Sequence, residues 1–212
     1  MKTLVDIASI RTGFTFRGKV EEVPRGGNAY VVQIKDVRKV HENSMSLNLS
    51  VQSLPQINWT GKDKAFVSTG SVLVPARGGY FKASYLVPTD RDLMPVVVSS
   101  QFLILTPADD VLAEFLCWSL NQPTMQRALI DSSQGTSIPM LKAETLKQLK
   151  IAVPSLKTQQ QIIELNRLWE HELQVTQALL KNRENMLKGV FQQLLKGIRQ
   201  FGILHWYQTR LA

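Results

Sequence analysis

The stretch TQQQIIELNRLWEHELQVTQALLKNRENMLKGVFQQLLKGIR, residues 158–199, contains no proline, and its first glycine is Gly189. Apolar residues recur along it at helical spacing from Ile162 to Ile198, which corresponds to about ten turns. A helix of about 60 Å is longer than a domain of this size is wide. Part of its apolar stripe is therefore expected to meet a partner helix.

The stripe is interrupted by Thr176 and Arg183, so its pattern is imperfect. A helical hairpin folded around Gly189 or Gly197 is the alternative. The residues predicted to face a second copy or another partner are Ile162, Leu165, Trp169, Leu173, Leu180, Leu187 and Leu194.

The chain before the helix predicts a mostly β domain with short helices. Strands are expected within 28–40, 71–87 and 95–107, where β-branched and polar residues nearly alternate. Turn-forming residues at 24–28, 41–48 and 60–64 separate them. Short helices are predicted within 108–122, 122–131 and 142–150, with a loop at 131–140 and a strand at 151–155.

This pattern gives an α+β fold class with three parts. Residues 1–156 form a mostly β globular domain, residues 157–200 form the long helix, and residues 201–212 are a tail of unknown role. The single cysteine, Cys117, excludes an internal disulfide and a cysteine-based metal cluster. The amino terminus has neither an apolar signal region nor a cleavage site, so a mature, cytoplasmic protein is expected.

Composition indicates a folded protein that meets a polyanion. Hydrophobic residues make up 44% of the 212 residues and charged residues 20%, with a formal net charge of +8. Residues 1–150 and 151–212 each carry +4, so neither part is a disordered basic arm. Nucleic acid is the commonest partner of such a chain.

A search for catalytic motifs finds one lookalike, GFTFRGK at 13–19, which matches the GxxxxGK pattern of phosphate loops. Val20 stands where a magnesium-binding serine or threonine is needed, and two phenylalanines crowd the loop. The histidines, His41, His171 and His205, have no metal-ligand spacing. The sequence therefore predicts no active site, and a nucleotide-dependent enzyme is the weakest hypothesis.

The order of segments resembles the specificity subunit of type I restriction–modification systems over nearly the whole chain. The most specific part is QGTSIPMLKAETLKQLKIAVPSLKTQQQI at 134–162, a loop, a helix, a strand and a helix start. The segments LVDIASIRTGFTFRGK at 4–19 and MLKGVFQQLLKGIRQF at 186–201 also fit. The chain departs from the family's usual pattern at two places. AVPSL replaces a strand end with two prolines, and Gln160 stands where glutamate is usual. Both changes affect how the long helix starts.

The resemblance implies a non-catalytic DNA-reading subunit in half-length form, with one target recognition domain and one long helix. It implies double-stranded DNA, methyltransferase subunits and an ATP-dependent restriction subunit as partners, and antiparallel helix pairing in a homodimer. No cofactor is expected here, because S-adenosylmethionine, ATP and magnesium would belong to the partner subunits. A helical scaffold whose β domain binds protein is the alternative, and a natural half-subunit and a fragment both remain open.

Arg77 is the strongest single candidate for a base contact, because Pro75 and Gly78-Gly79 shape a tight loop around it. Other polar and basic residues in the loops of the first domain are predicted to contact bases or phosphates. The full predicted DNA-binding set is Arg17, Lys19, Arg25, Gln33, Lys62, Lys64, Arg77, Lys82, Gln134, Thr136 and Ser137.

Overall fold

The computed structural model describes residues 1–43, 47–88, 94–135 and 138–195. It divides into two units, Met1–Arg167 and Leu168–Ala212, with the boundary inside the last helix. Three β-sheets and short helices precede one long helix. The predicted fold class is therefore confirmed.

Eleven strands occur in the described residues, most of them short. They are β1 (Lys2–Thr3), β2 (Ala8–Thr12), β3 (Ala29–Val32), β4 (Asn48–Ser50), β5 (Gln56–Ile57), β6 (Phe66–Val67), β7 (Val72–Pro75), β8 (Ser84–Val87), β9 (Val96–Val98), β10 (Phe102–Pro107) and β11 (Lys150–Ile151).

The α-helices of the first unit cover its sheets, and the last helix continues into the second unit. They are α1 (Leu4–Ile7), α2 (Ile34–Asn43), α3 (Ala113–Leu120), α4 (Pro123–Asp131), α5 (Ala143–Gln148) and α6 (Leu156–Leu195). Short 3-10 turns lie at Val51–Ser53 and Asp63–Ala65.

Two of the three sheets make up most of the first unit. One has five strands in the order β2-β10-β7-β8-β4, and the other has four in the order β5-β3-β9-β6. Side chains alternate across a strand, so Val72 and Val74 enter one core while Leu73 enters another. The first core packs α1, α3, α4 and α5 on the five-stranded sheet, and the second lies between the two sheets with α2.

The prediction of a strand over 28–40 is only half correct. Residues Ala29–Val32 form β3, but the chain turns at Gln33 and continues as α2. The Asp36 carboxylate accepts the Gln33 backbone N–H at 2.9 Å, a bond that favours a helix start. Val37 is buried and Val40 packs beside it, at the three-residue spacing of a helix rather than the two-residue spacing of a strand.

The segment 95–107, expected as one core strand, is two strands in different sheets. β9 belongs to the four-stranded sheet and β10 to the five-stranded one. The turn between them is closed by a hydrogen bond from the Phe102 N–H to the Ser99 carbonyl at 3.1 Å. The break falls at the polar residues 99–101, and the strands on either side of it are mostly buried.

The remaining predictions vary in accuracy. Two strands flank the loop within 71–87, and helices form within 108–122, 122–131 and 142–150, as predicted. The strand expected at 151–155 is limited to Lys150–Ile151. Helix α6 is continuous through Gly189, which contradicts a hairpin there, while Gly197 and the tail lie outside the described residues.

Candidate nucleic-acid interface

Several loops meet at one end of the five-stranded sheet. β2 and β7 both run antiparallel to β10, which lies between them, so both finish where β10 begins. The Gly13 N–H donates to the Phe102 carbonyl at 3.0 Å, and the Ala76 N–H donates to the Gln101 carbonyl at 2.7 Å. The loops 13–19, 99–101 and 76–83 therefore lie together at this edge, which we call the loop end.

Gly13 is required at the loop end because the backbone passes too close for any side chain. A Cβ atom there would lie 2.2 Å from the Ser99 carbonyl oxygen and 2.5 Å from that of Val98. The Phe14 ring then lies 4.8 Å from the Trp59 ring, edge to face. Residues 13–19 follow a strand, but 20–28 form no helix, so the segment lacks the helix of a phosphate loop.

A groove of about 440 Å³ opens beside this segment and is lined by three cations. Two of them, Lys62 and Lys64, were predicted from the sequence, and both are exposed. The third is Arg11 of β2, which sequence analysis missed; its outward position in the alternation of that strand was the available signal. The Arg11 guanidinium donates one hydrogen bond to the Phe66 carbonyl at 2.6 Å, which fixes its orientation.

Electrostatics at the groove favour a polyanion. A guanidinium has five N–H donors, so Arg11 retains donors beyond its bond to Phe66. Asp63 lies between the two lysines in sequence and reduces the local excess to two positive charges. Lysine and arginine side chains placed in this way are suited to the oxygens of a phosphodiester backbone.

The loop from Ala76 to Ala83 carries Arg77 and Lys82, both exposed as predicted. Its base is held by amide side chains from the covering helices. Asn121 accepts the Ala83 N–H and donates to the Ala83 carbonyl, each at 3.0 Å. Gln126 donates to the Phe81 carbonyl at 3.3 Å. Arg77 and Lys82 therefore lie next to the anchored residues Ala76 and Ala83 at the two ends of the loop.

Met140 pairs with both Gln134 and Arg77, so these two residues lie on either side of it. Gln134 and Met140 exchange two backbone hydrogen bonds of 2.9 and 2.8 Å. The Gly78 N–H donates to the Pro139 carbonyl at 2.9 Å, which ties the two loops together. The other two predicted members of that loop, Thr136 and Ser137, lie outside the described residues.

A histidine that sequence analysis did not connect with this loop also lies here. His41 of α2 contacts the Tyr80 hydroxyl through Nδ1 at 3.2 Å and the Ser84 hydroxyl through Nε2 at 3.0 Å. Burial, and then the nearby Lys82 ammonium, lower the pKa of His41 to about 4. The imidazole is therefore neutral at physiological pH.

The remaining predicted residues of the first unit differ in their surroundings. Arg17 and Lys19 are exposed in the loop that follows Gly13. Arg25 is exposed in a turn whose neighbour Val23 pairs with Gln56 on the four-stranded sheet. Gln33 is half-buried, and its amide donates to the Glu22 carboxylate at 2.7 Å, so this contact holds it within the fold.

The solvent exposure of the predicted apolar residues varies along α6. Ile162 packs against the core of the first unit, with Ile163 buried beside it. Further along, Trp169 and Leu180 are 58% and 59% exposed. Leu165 and Leu194 are also exposed, whereas Leu173 and Leu187 are half-buried. Additional exposed apolar residues, which the predicted stripe omitted, are Leu168, Val175, Leu179, Met186, Phe191 and Leu195.

The described residues contain no helix that is both long and apolar enough to cross a membrane. They also contain no group of three histidine, cysteine, aspartate or glutamate side chains placed to hold a metal ion.

Comparison with known proteins gives consistent matches. The type I restriction enzyme HindI specificity subunit of Haemophilus influenzae is 25% identical over 150 residues, 68% of this chain and 30% of that protein. The MjaIX specificity subunit of Methanocaldococcus jannaschii is 37% identical over 68 residues, 32% of this chain and 16% of that protein. The matched regions thus cover less than half of each relative.

A solved chain from a study of assembly and conformational transition in the type I restriction–modification system has a similar fold. The TM-score is 0.57 at 16% identity, over 92% of this chain and 43% of the solved one. The family model described as type I restriction modification DNA specificity domain matches residues 1–171. The chain therefore belongs to the family of type I restriction–modification DNA specificity domains.

Proposed function

We propose that this chain reads a specific sequence in double-stranded DNA and positions the other subunits of a type I restriction–modification complex on it. The main observation behind the proposal is the arrangement of side chains at the loop end. Arg77, Lys82 and Gln134 lie on loops there. The groove at the same end is lined by Arg11, Lys62 and Lys64. Specific recognition needs both kinds of group, because phosphate contacts set affinity and register while base-edge contacts select the sequence.

The two groups of side chains divide these tasks. The groove carries cations on a β-strand and a short turn, which suits it to phosphates. Arg77 follows Ala76 at the anchored start of the loop, and an exposed arginine there can make paired hydrogen bonds to guanine. Gln134 beside it supplies an amide of the kind that reads adenine.

The second task, assembly, falls to helix α6. Its exposed apolar residues from Leu165 onward suit it to pack against another helix. A second copy in antiparallel orientation would place two reading domains about a two-fold axis. The recognised sequence would then be split and symmetric, because half-sites follow the symmetry of the protein. Methyltransferase and restriction subunits would dock on the same helical assembly.

Catalysis in this proposal belongs to partner subunits in the cytoplasm. This chain positions DNA and supplies no reacting group, so it binds no cofactor of its own. S-adenosylmethionine would be held by the methyltransferase subunits, and ATP and magnesium by the restriction subunit. The methyltransferase would extrude the target base into its own pocket.

Selection from a library of random duplexes tests the function directly. The full chain is expected to enrich a split sequence, and Arg77→Ala is expected to weaken binding to that sequence by about 1–3 kcal/mol while relaxing the preference at one position. Arg127→Ala, which removes an exposed arginine from α4, is the matched control and should leave both properties unchanged.

Two results would contradict the proposal in different ways. Failure of the native chain to enrich any sequence, alone or with methyltransferase subunits present, would reject sequence reading and favour a protein-binding scaffold. Equal affinities of native chain and Arg77→Ala for the enriched duplex would remove Arg77 from the base-reading set while leaving the function in place.

A further inference from the structure

Tyr80 is an unusual residue in the loop that carries Arg77. It is an aromatic side chain 41% exposed, whereas its neighbour Phe81 is only 1% exposed and anchors the loop in the core. The Tyr80 ring lies between two exposed cations in sequence, and the Lys82 ammonium is 6.0 Å from its centroid. The loop therefore presents an apolar surface in the middle of a basic one.

The Tyr80 ring is held in place by His41. The Tyr80 hydroxyl lies 3.2 Å from Nδ1 of His41, and Nε2 of the same ring contacts the buried Ser84 at 3.0 Å. A neutral imidazole has one donor nitrogen and one acceptor nitrogen, so it can bond both hydroxyls at once. Because both ends of this chain of bonds are fixed, little side-chain freedom remains to be lost on binding.

The surroundings of Tyr80 indicate which part of its side chain is available for a contact. Its hydroxyl bonds to His41, and the residue is 41% exposed, so it presents apolar surface beside that bond. A second apolar side chain, Ile138, is 67% exposed on the segment whose Pro139 carbonyl accepts the Gly78 N–H of the same loop. An apolar surface next to arginine in the major groove is suited to the 5-methyl group of thymine.

We propose that Tyr80 is a specificity-determining residue whose ring contacts a thymine methyl group, and that His41 is the positioning residue that holds the ring for this contact. The proposal rests on the DNA-reading function proposed above and adds to it a base class and two residues. Arg77 contributes hydrogen bonds to the site, whereas Tyr80 contributes an apolar contact.

Replacement of thymine by uracil, one position at a time in the duplex enriched by the native chain, is the test. Uracil lacks only the methyl group, and loss of one buried methyl-sized contact is worth about 0.8 kcal/mol, or about fourfold in affinity. We expect the native chain to lose about fourfold at one position, and Tyr80→Ala to bind thymine and uracil equally there. The affinity for random duplex should change little.

Two further variants separate positioning from contact. Tyr80→Phe keeps the ring but removes the bond to His41, and His41→Ala removes the bond from the other side. Both are expected to reduce the thymine preference without abolishing it. His41→Asn places an amide near the position of Nδ1 and should restore part of the preference. Thermal unfolding midpoints of all variants identify any that are misfolded, and Tyr80→Phe makes the smallest change.

The outcomes distinguish the two levels of the proposal. If the native chain enriches a sequence but tolerates uracil at every thymine, or if Tyr80→Ala keeps the native preference, the inference about Tyr80 is overturned and DNA reading stands. If the native chain enriches no sequence, the proposed function fails and the inference fails with it. Unchanged thymine preference in His41→Ala would reject the positioning role alone.

Discussion

The first unit and the helical segment after Leu168 use apolar residues in opposite ways. In the first unit, large apolar side chains such as Phe102 and Phe115 are buried in the cores, and exposed cations occupy the loop end. In the helix, Leu168 and Trp169 are more than half exposed. The first unit therefore has its own apolar core, whereas the helical segment has an exposed apolar surface that is suited to the partner proposed above.

The largest expected effect concerns that partner. Trp169→Lys combined with Leu180→Lys places two charges on the exposed apolar stripe, and we expect a self-associated chain to become a monomer because charges resist burial between helices. Light scattering after size-exclusion chromatography measures the mass. Gln174→Lys with Gln192→Lys adds the same charge at positions about 120–140° around the helix from Trp169 and Leu180, and should leave the mass unchanged.

An unchanged mass in the Trp169 and Leu180 variant would contradict helix pairing. Thermal unfolding of the same variants compares the two regions. We expect the unfolding transition of the first unit to be unaffected by these substitutions. Loss of that unfolding transition would mean that the two regions depend on each other for stability.

Gly13→Ala tests the other region and is expected to give the next largest effect. The added Cβ would lie 2.2 Å from a backbone carbonyl, so strands must shift, at a destabilisation of about 1–3 kcal/mol or more. Denaturant unfolding measures it. Gly18→Ala, with open space around its Cβ, is the control. Equal stabilities of the two variants would show that the close approach at Gly13 does not constrain the loop end.

The double variant Lys62→Ala, Lys64→Ala is expected to act on all duplexes alike. Loss of two phosphate contacts would reduce the slope of log affinity against log salt concentration by about 1.8, while sequence preference remains. Fluorescence anisotropy at several salt concentrations measures the slope. Lys150→Ala with Lys157→Ala removes the same charge from β11 and the start of α6. A matching slope change in this control would argue against a phosphate role for the groove.

The effect that is smallest at neutral pH is a pH dependence of stability from His41, which develops only under acidic conditions. Its pKa is about 4 in the folded chain against an ordinary value of 6.5, so between these values the unfolded chain binds more protons. Stability should therefore fall as pH decreases from about 6.5 to 4. Thermal unfolding across this range measures the effect. His41→Gln should give a flatter profile, and an identical profile would place the proton uptake elsewhere.

Patterns that repeat over several residues were predictable from the sequence. The long helix follows from the 3.6-residue spacing of apolar side chains, and the two strands within 71–87 follow from alternation around a Pro–Gly break. The resemblance to the family rested on the order of such segments. These predictions succeed because they depend only on which faces of a local element are apolar.

Other features depend on contacts between distant segments and were not predictable. The polar residues Ser99, Ser100 and Gln101 interrupt the apolar run, but the sequence does not show that the strands on either side of them join different sheets. Arg11 joins Lys62 and Lys64 only because β2 lies beside the turn that carries the lysines. The contact between His41 and Tyr80 spans 39 residues and requires the position of α2, which was itself predicted wrongly as a strand.

The amide contacts at the base of the loop from Ala76 to Ala83 have a consequence for how recognition can diverge among relatives. Within this loop, Asn121 and Gln126 bond only backbone atoms of Ala83 and Phe81, so these bonds do not depend on the side chains of Arg77 and Lys82. Substitutions at Arg77 or Lys82 leave these contacts intact. If this loop reads DNA as proposed, a point mutation at Arg77 or Lys82 would change the target sequence without compensating changes in the scaffold.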